Sequence, residues 1–268
     1  MSAEGKDRLA GKVAFITGTG RGMGRAAAQL FAAEGASVFG CDIDEESAAK
    51  TAELVRAAGG TMSSIAPVDL GDPDGAKAWV EAGIAEYDGI DILYNNAGAV
   101  RFGAIADLPD EDWRFTLRNE LDLVMWTTRA AWPHLIERGA GAIVNIGSIS
   151  AIRGHPVMGQ SAHTAAKGAI IALTIQHAAE GSPHRIRVNS ISPGGIATPA
   201  LRALLGDGSI EVPIPLGRMG RPDDVARCAL FLASDDAEWI TGTNIFVDGG
   251  SSVIDGGELV AMSAPRED

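Results

Sequence analysis

A glycine-rich segment near the start of the chain stands between an apolar run and an alanine-rich stretch with helical spacing. The run is Val13–Thr17, and the segment Gly18–Gly24 leads directly into the helical stretch, which continues to Glu34. Glycines let the backbone turn tightly and approach a pyrophosphate, and the start of a helix offers unpaired N–H groups with a partial positive charge. Strand, turn and helix together therefore predict a dinucleotide-phosphate site.

An acidic residue follows the next apolar run. Asp42 ends the segment VFGCDID about 20 residues after the glycine turn, where a carboxylate can accept hydrogen bonds from both ribose hydroxyls. The same charge would repel the 2′-phosphate of NADP, so we expect NAD as the cofactor. The alternative is that Asp42 caps the following helix, although Asp44 is better placed to do so.

Strands and helices must position these residues. Along the chain, short runs rich in β-branched residues alternate with longer amphipathic stretches. Such alternation is typical of βαβ units and predicts one Rossmann-like, doubly wound α/β domain with a parallel sheet. The predicted strands are Val13–Thr17, Ser37–Cys41, Thr61–Val68, Ile90–Tyr94, Ala142–Ile146, Arg185–Ile191 and Asn244–Val247. The predicted helices are Gly24–Glu34, Glu45–Ala58, Asp74–Ala85, Asp110–Glu137 and Ala162–Glu180.

Composition excludes several classes of protein. The 268 residues are 46% hydrophobic, and the formal net charge is −13, which disfavours nucleic-acid binding. Cys41 and Cys228 lack disulfide or zinc spacing, so we expect no metal site. With neither a secretory signal nor a long apolar segment, we expect a cytoplasmic protein that does not enter membranes.

Two kinds of segment depart from the regular alternation. The proline-containing stretch Pro193–Pro215 has little periodicity, and a loop of that length in a compact domain predicts a substrate lid. We expect residues 1–10 and 255–268 to form flexible ends.

Motifs in the same order as in the short-chain dehydrogenase/reductase family cover almost the whole chain, which therefore resembles that family. They are TGTGRGMG at Thr17–Gly24, PVDL with Asp69, NNAG at Asn95–Gly98, NSISPG at Asn189–Gly194, Thr198, GRPDDVA at Gly220–Ala226 and ITGTNIFVDGG at Ile240–Gly250. The turn and the resemblance assign cofactor binding to Gly18, Arg21, Gly22, Met23, Gly24, Asp42, Asp69, Asn95, Ala97, Gly98, Lys167, Pro193, Gly194, Ile196 and Thr198. The resemblance also implies a homotetramer.

The resemblance breaks at the catalytic positions. The family uses a Tyr-x-x-x-Lys pair for acid/base work, but here the segment SAHTAAK places His163 at the tyrosine position, with Lys167 retained. Ser148 best matches the position of the family's serine. Ser150 is the alternative, because the segment between Ser148 and His163 is longer than the family's usual spacing. The family's asparagine aligns with Glu120, whereas a slip of one residue would restore Asn119.

The altered residues favour oxidation of an alcohol. His163 and Lys167 are four residues apart on a predicted helix, so both project toward one cleft. A nearby ammonium and partial burial disfavour the imidazolium, so we expect His163 to be mostly neutral at pH 7, with Glu120 partly cancelling this effect if it reaches Lys167. A neutral imidazole is a competent base and a poor acid.

Our leading hypothesis is thus an NAD-dependent dehydrogenase of a hydrophobic secondary alcohol, with Ser148, His163, Lys167 and Glu120 in the active site. The alternatives are a non-redox lyase or isomerase, an NAD-binding scaffold, or an engineered tyrosine-to-histidine change. Arg101 or Arg153 could anchor a substrate carboxylate. The predicted pocket wall comprises Val100–Phe102, His155–Met158, Leu201, Leu204, Leu205 and Ile210.

Overall fold

The computed structural model describes residues 7–155, 158–205 and 214–254, and these form a seven-stranded sheet flanked by helices. All strand pairs are parallel, in the order β3-β2-β1-β4-β5-β6-β7. The strands are β1 Val13–Thr17, β2 Ser37–Cys41, β3 Thr61–Ile65, β4 Ile92–Asn95, β5 Gly141–Ile146, β6 Ile186–Pro193 and β7 Asn244–Val247. The chain order reverses between β1 and β4, which is where open α/β sheets bind ligands at the carboxyl ends of their strands.

Helices cover both faces of the sheet, as the predicted βαβ alternation requires. The helices are α1 Gly22–Ala33, α2 Glu45–Ala57, α3 Pro73–Tyr87, α4 Asp110–Leu117, α5 Leu123–Arg138, α6 Ser161–Gly181, α7 Pro199–Leu205 and α8 Pro222–Ala233. One hydrophobic core lies between the sheet and α1, α2 and α8, and a second lies between the sheet and α3, α5 and α6. The predicted doubly wound α/β fold is confirmed.

The predicted long helix 110–137 is interrupted. A π-helical turn, Arg118–Asp122, separates α4 from α5. Such a turn accommodates an extra residue and rotates the side chains that follow it, and it often marks a functional site. The sequence pattern contains no sign of it, because the apolar spacing on either side remains helical.

Other boundaries also differ from the prediction. Strand β3 ends at Ile65 rather than Val68, since Pro67 has no N–H to continue the ladder. Helices α7 and α8 were not predicted, although Pro222 at the first turn of α8, followed by two aspartates, is a helix-start pattern.

Among the first residues that the structure describes, Leu9 packs against the domain. Leu9 is fully buried, and its N–H donates to the carbonyl of Glu34. Residues 1–6, 255–268 and most of the second half of the predicted lid lie outside the described residues.

Candidate active site

The glycine turn forms a tightly packed cradle at the carboxyl end of β1. Gly18 and Gly22 have φ values of +70° and +58°, which only glycine adopts easily. A Cβ on Gly24 would lie 2.0 Å from the carbonyl oxygen of Gly18, so helix α1 approaches the turn closely. The helix has no side-chain cap at Arg21 and no acidic residue in its first turn, so its first N–H groups, which include those of Met23 and Gly24, suit an anionic ligand.

Asp42 lies against this turn. Its Oδ2 accepts a hydrogen bond from the Gly20 N–H at 2.7 Å, and its Oδ1 accepts one from the Asp44 N–H at 3.0 Å. Asp44 caps α2, because its carboxylate accepts the Ser47 N–H at 3.1 Å. The capping alternative for Asp42 is therefore wrong, and its carboxylate stands beside the predicted phosphate cradle.

Two supporting residues of the turn were not identified from the sequence. Thr17 Oγ accepts the N–H groups of Asn96 and Ala97, each at 2.9 Å, which holds the NNAG segment against β1. Arg25 donates to the Gly20 carbonyl and, at 2.9 Å, to the Thr51 hydroxyl. Two sequence signals could have suggested them. One is a threonine at a strand end before a glycine turn, and the other is an arginine in the first turn of the helix that follows.

Asn95 has a different role from the predicted one. Its side chain is 1% exposed and donates to Asn145 at 2.9 Å and to Thr128 at 3.1 Å, and it accepts the Thr127 hydroxyl at 2.7 Å. These bonds join β4, β5 and α5 and use its donors and its acceptor. Asn95 thus fixes the end of the sheet, and its side chain does not face the cleft.

The segment after β6 returns to the glycine turn. Gly194 packs so closely on Asp248 that a Cβ would lie 2.8 Å from the aspartate Cβ, and Ile196 is 5% exposed. A Cβ on Gly22 would lie 3.4 Å from Thr198 Cγ2. The structure therefore brings Thr198 to the turn that follows β1, whereas Gly194 packs against Asp248 just beyond β7.

Asp69 is held by an arginine. Arg118 donates to its Oδ2 at 2.7 Å, and this hydrogen bond lowers the pKa of Asp69 below its ordinary value. The other oxygen accepts the Gly71 N–H at 3.0 Å. A ligand that contacts Asp69 must share this carboxylate with Arg118.

Helix α6 and the π-helical turn bring three ionisable groups together. His163 Nδ1 lies 2.9 and 2.8 Å from the two carboxylate oxygens of Glu120. Lys167 Nζ lies 3.7 Å from Glu120 Oε1 and donates to the Ile146 carbonyl at 3.1 Å. The side chains of Glu120 and Lys167 are 5% and 7% exposed, and that of His163 is 15% exposed, so the imidazole is the group most open to the cleft.

The choice between Asn119 and Glu120 is decided by the π-helical turn. The Asn119 side-chain amide donates to the backbone carbonyl of Phe115 at 2.8 Å. The backbone carbonyl of Asn119 accepts the Ala99 N–H at 3.2 Å. Glu120 alone faces α6. The structure therefore places the carboxylate, and not the amide, beside His163 and Lys167.

The structure also distinguishes the two candidate serines. Ser150 donates its hydroxyl to Gln160 Oε1 at 3.0 Å, whereas Ser148 Oγ accepts the Ser150 N–H at 3.0 Å. Among the described residues, no acceptor takes the Ser148 hydroxyl hydrogen. Ser148 lies two residues beyond Ile146, the last residue of β5, whose carbonyl binds Lys167, and it can still donate to a ligand.

Glu120 determines what the imidazole can do. A carboxylate beside Nδ1 favours the tautomer with hydrogen on Nδ1, which leaves Nε2 as the acceptor. The carboxylate also stabilises the imidazolium that forms when Nε2 takes a proton. From the sequence we expect Glu120 in the active site and expect it to offset the effect of Lys167 if it reaches that ammonium; in the structure the carboxylate lies closer to the imidazole than to the ammonium. The site therefore contains a carboxylate–histidine pair of the kind used in general-base catalysis.

The neighbouring wall is partly apolar. The Phe102 ring meets the His163 ring edge-on, with 6.0 Å between centroids, and the Gly103 N–H donates to the Gly159 carbonyl at 3.0 Å. Arg101 pairs with Asp112 at 2.7 Å, and Arg153 donates to the Ser251 carbonyl, so both proposed carboxylate anchors are engaged. Of the predicted wall, residues 156–157 and 210 and the side chains of residues 204 and 205 lie outside the description.

The described residues carry neither a candidate metal cluster nor a helix that could span a membrane. They contain no group of three or more metal-ligating side chains placed to hold an ion. Of the helices in the described part of the chain, none combines the length and apolar character that a bilayer crossing requires.

Comparison with known proteins agrees with this cleft. A family model described as enoyl-(acyl carrier protein) reductase matches residues 18–252. Together with the fold and the ordered motifs, this shows that the chain belongs to the short-chain dehydrogenase/reductase family, whose members are oxidoreductases.

Several relatives are similar over most of their length. The 3-oxoacyl-(acyl-carrier-protein) reductase FabG of Thermotoga maritima is 39% identical over 91% of this chain and 98% of its own. The trans-4-hydroxycyclohexanecarboxylate dehydrogenase of Sinomonas cyclohexanicum is 36% identical, over 92% of this chain and 95% of its own. The crystal structure of a short-chain type dehydrogenase/reductase from Mycobacterium marinum has a TM-score of 0.88 at 34% identity and covers 92% of this chain and 97% of that chain. This chain is therefore an enzyme of the same class.

Proposed function

We propose that this enzyme oxidises a hydrophobic secondary alcohol to a ketone with NAD, and that His163 is the general base. The observation that carries the proposal is the contact of 2.8 Å between His163 Nδ1 and Glu120. It leaves Nε2 free to accept a proton and provides a negative charge for the resulting imidazolium.

The residues around the glycine turn fit a nicotinamide dinucleotide. The cradle of Gly18, Gly22 and Gly24 has no room for side chains, and the start of α1 offers free N–H groups for a pyrophosphate. Lys167 and Thr198 are the residues that, by the family resemblance, would hold the nicotinamide half of the cofactor. When bound, the nicotinamide supplies the acceptor for the hydride that leaves the alcohol carbon.

Asp42 supports NAD over NADP. A carboxylate that faces the turn can accept from ribose hydroxyls, and each of its oxygens retains a lone pair after binding one N–H group. A 2′-phosphate at the same place would meet like charge.

The proton and the hydride leave the alcohol by different routes. Ser148 donates its free hydroxyl hydrogen to the substrate oxygen, and His163 Nε2 accepts the hydroxyl proton while the C–H hydrogen leaves as hydride. Glu120 holds the imidazole in the required tautomer, and Lys167, which donates to the Ile146 carbonyl, would bind the ribose of the cofactor. The products are a ketone, the reduced cofactor and one proton, which rests on His163 until solvent removes it.

An alicyclic secondary alcohol is the substrate class that we favour. Phe102 lies against the base and gives the pocket an apolar wall. Two relatives are named for cyclic alcohols, the dehydrogenase from Sinomonas cyclohexanicum and a 2,5-dichloro-2,5-cyclohexadiene-1,4-diol dehydrogenase from Sphingobium indicum. No described feature favours the non-redox or scaffold alternatives, and the homotetramer implied by the family remains a prediction.

Steady-state oxidation of cyclohexanol and substituted cyclohexanols, with NAD and NADP in parallel, tests the proposal. We expect NAD to be reduced faster than NADP. A histidine base predicts an oxidation rate that does not follow the ionisation of a phenol, which ordinarily occurs near pH 10. A rate that still climbs between about pH 9 and pH 10 would contradict a histidine base.

A further inference from the structure

A second concave region lies at the end of the sheet opposite the active site. The cavity has a volume of about 700 Å³ and is lined by residues at the amino-terminal ends of β1, β4, β5 and β6. It lies within the size range of small-molecule pockets. The dinucleotide cleft proposed above lies at the carboxyl ends of the same strands, and the residues assigned to it do not line this cavity.

The cavity carries more positive than negative side chains. Its cations are Lys12, Arg138, Arg185 and Arg187, and its carboxylates are Asp91, Asp235 and Glu238. This excess stands out in a chain whose formal net charge is −13. The lining thus differs in sign from the protein as a whole and favours an anion.

Two of the four cations each form two or more hydrogen bonds within the fold. Arg138 forms two hydrogen bonds with Asp91, at 2.9 and 3.1 Å, and Asp91 also accepts the Val13 N–H at 2.8 Å. Arg187 donates to the carbonyls of Leu232 and Ser234 at the end of α8, at 2.7 and 3.1 Å. Neither guanidinium has much capacity left for a ligand.

Arg185 and Lys12 retain capacity. Arg185 donates only through Nε, to the Gly139 carbonyl at 3.0 Å, and no carboxylate in the described chain lies within salt-bridge distance of it. Lys12 is 3.8 Å from Asp235, whose side chain is 83% exposed. Arginine has five N–H donors, so both terminal amino groups of Arg185 remain available at the rim of the cavity.

The backbone of Arg185 supports a role beyond packing. Its φ is +58°, in the left-handed region where a side chain raises the energy and glycine is favoured. An exposed arginine therefore occupies a position where glycine would be less strained. The strain is consistent with a function of the side chain rather than of the turn.

An exposed aromatic ring completes the region. Trp239 lines the cavity and is 97% exposed, the highest value among the large apolar side chains described. An indole with a free face stacks on planar rings and contributes large apolar contact area. Its position among cations suits a ligand that is both flat and negatively charged.

We propose that this cavity binds a planar aromatic carboxylate, with the ring on Trp239 and the carboxylate on Arg185 and Lys12. The site is separate from the dehydrogenase cleft and does not depend on the function proposed for it. Arginine binds carboxylates through two parallel hydrogen bonds, which the free amino groups of Arg185 can supply.

Isothermal titration calorimetry with 1-naphthoate, at saturating NAD, tests the proposal. We expect one 1-naphthoate to bind per chain and the neutral 1-naphthamide to bind at least about tenfold more weakly. Arg185→Gly relieves the left-handed strain while removing the guanidinium, so it should remain folded and lose at least about tenfold in affinity. Trp239→Ala should lose affinity to a similar extent.

Two control variants locate the binding. Arg114→Ala removes an exposed arginine outside the cavity and should leave 1-naphthoate binding unchanged. Phe102→Ala alters the substrate cleft and should also leave it unchanged. The proposal is overturned if no saturable binding occurs up to about 10 mM, if Phe102→Ala rather than Arg185→Gly removes it, or if the amide binds as well as the acid. A lower molecular mass of Trp239→Ala in sedimentation would assign the ring to a subunit contact and would equally overturn the proposal.

Discussion

Replacing Glu120 by glutamine tests the central contact of the active site. The substitution keeps the size of the side chain and a carbonyl oxygen that can accept the Nδ1 hydrogen of His163, but it removes the negative charge. We therefore expect His163 to keep its orientation and to lose the charge that stabilises the imidazolium.

The distances bound the size of the effect. Opposite charges 2.8 Å apart attract by about 6 kcal/mol at an effective dielectric constant of 20, which is a gross upper limit. Glutamine retains an ordinary hydrogen bond, and Lys167 at 3.7 Å already shares the carboxylate. A hydrogen bond to a charged group contributes about 1.5–3 kcal/mol net. The expected loss in the rate constant for alcohol oxidation is thus roughly 10- to 150-fold.

The assay must separate catalysis from folding, because Lys167 is 6% exposed and loses its carboxylate in this variant. We expect a lower kcat with little change in the dissociation constant for NAD, measured at a temperature well below the unfolding midpoint. Glu111→Gln is the matched control, since it neutralises an exposed carboxylate on α4. A folded Glu120→Gln enzyme that turns over at the rate of the unmodified protein would refute the role assigned to the carboxylate.

Three further predictions concern the same cleft and the outer surface. His163→Tyr alone should be poorly active, because the Glu120 carboxylate opposes ionisation of a phenol beside it. The double variant His163→Tyr/Glu120→Asn should have a kcat at least about tenfold higher than His163→Tyr, and equal kcat values would contradict this coupling. Asp42→Asn keeps an acceptor for the glycine turn but removes the charge, and we expect the ratio of kcat/KM for NAD over NADP to fall by about 10-fold or more, with an unchanged ratio as the contrary result. The Arg218 hydrogen bond, with further hydrogen bonding, lowers the pKa of Asp224 from 3.8 to about 2, so the stabilisation by Asp224 is present above about pH 4 and is lost toward pH 2. Urea unfolding should show that the difference in free energy of unfolding between the unmodified protein and Asp224→Asn shrinks across that range. A constant difference would count against the ion pair.

Much of the fold and of the cofactor cleft could be predicted because their signals are local. The glycines before α1 reflect backbone conformations and close approaches within a few residues, so Gly18, Gly22 and Gly24 are informative without any tertiary contact. The strand Val13–Thr17 matched to the residue for the same reason: a buried parallel strand is a short apolar run between turns.

The predictions that failed or stayed open depended on contacts between distant segments. Asn95 belongs to a motif, but only the packing of β4 against β5 and α5 directs its side chain into the core. From the sequence alone, Ser148 and Ser150 are alternatives for the position of the family's serine. The structure distinguishes them because Gln160 accepts the hydroxyl hydrogen of Ser150.

The amino-acid sequence by itself determined the class of fold, the glycine turn before α1 and the carboxylate that follows β2, and it predicted that His163 stands at the family's tyrosine position. Only the tertiary structure decided that Glu120 rather than Asn119 faces His163, since a π-helical turn rotates it inward and no periodicity in the chain encodes that rotation. The physical reason is the distance along the chain over which each interaction acts. Turn and strand preferences act over a few residues, whereas Glu120 and His163 are 43 positions apart and meet only when α6 packs beside the π-helical turn.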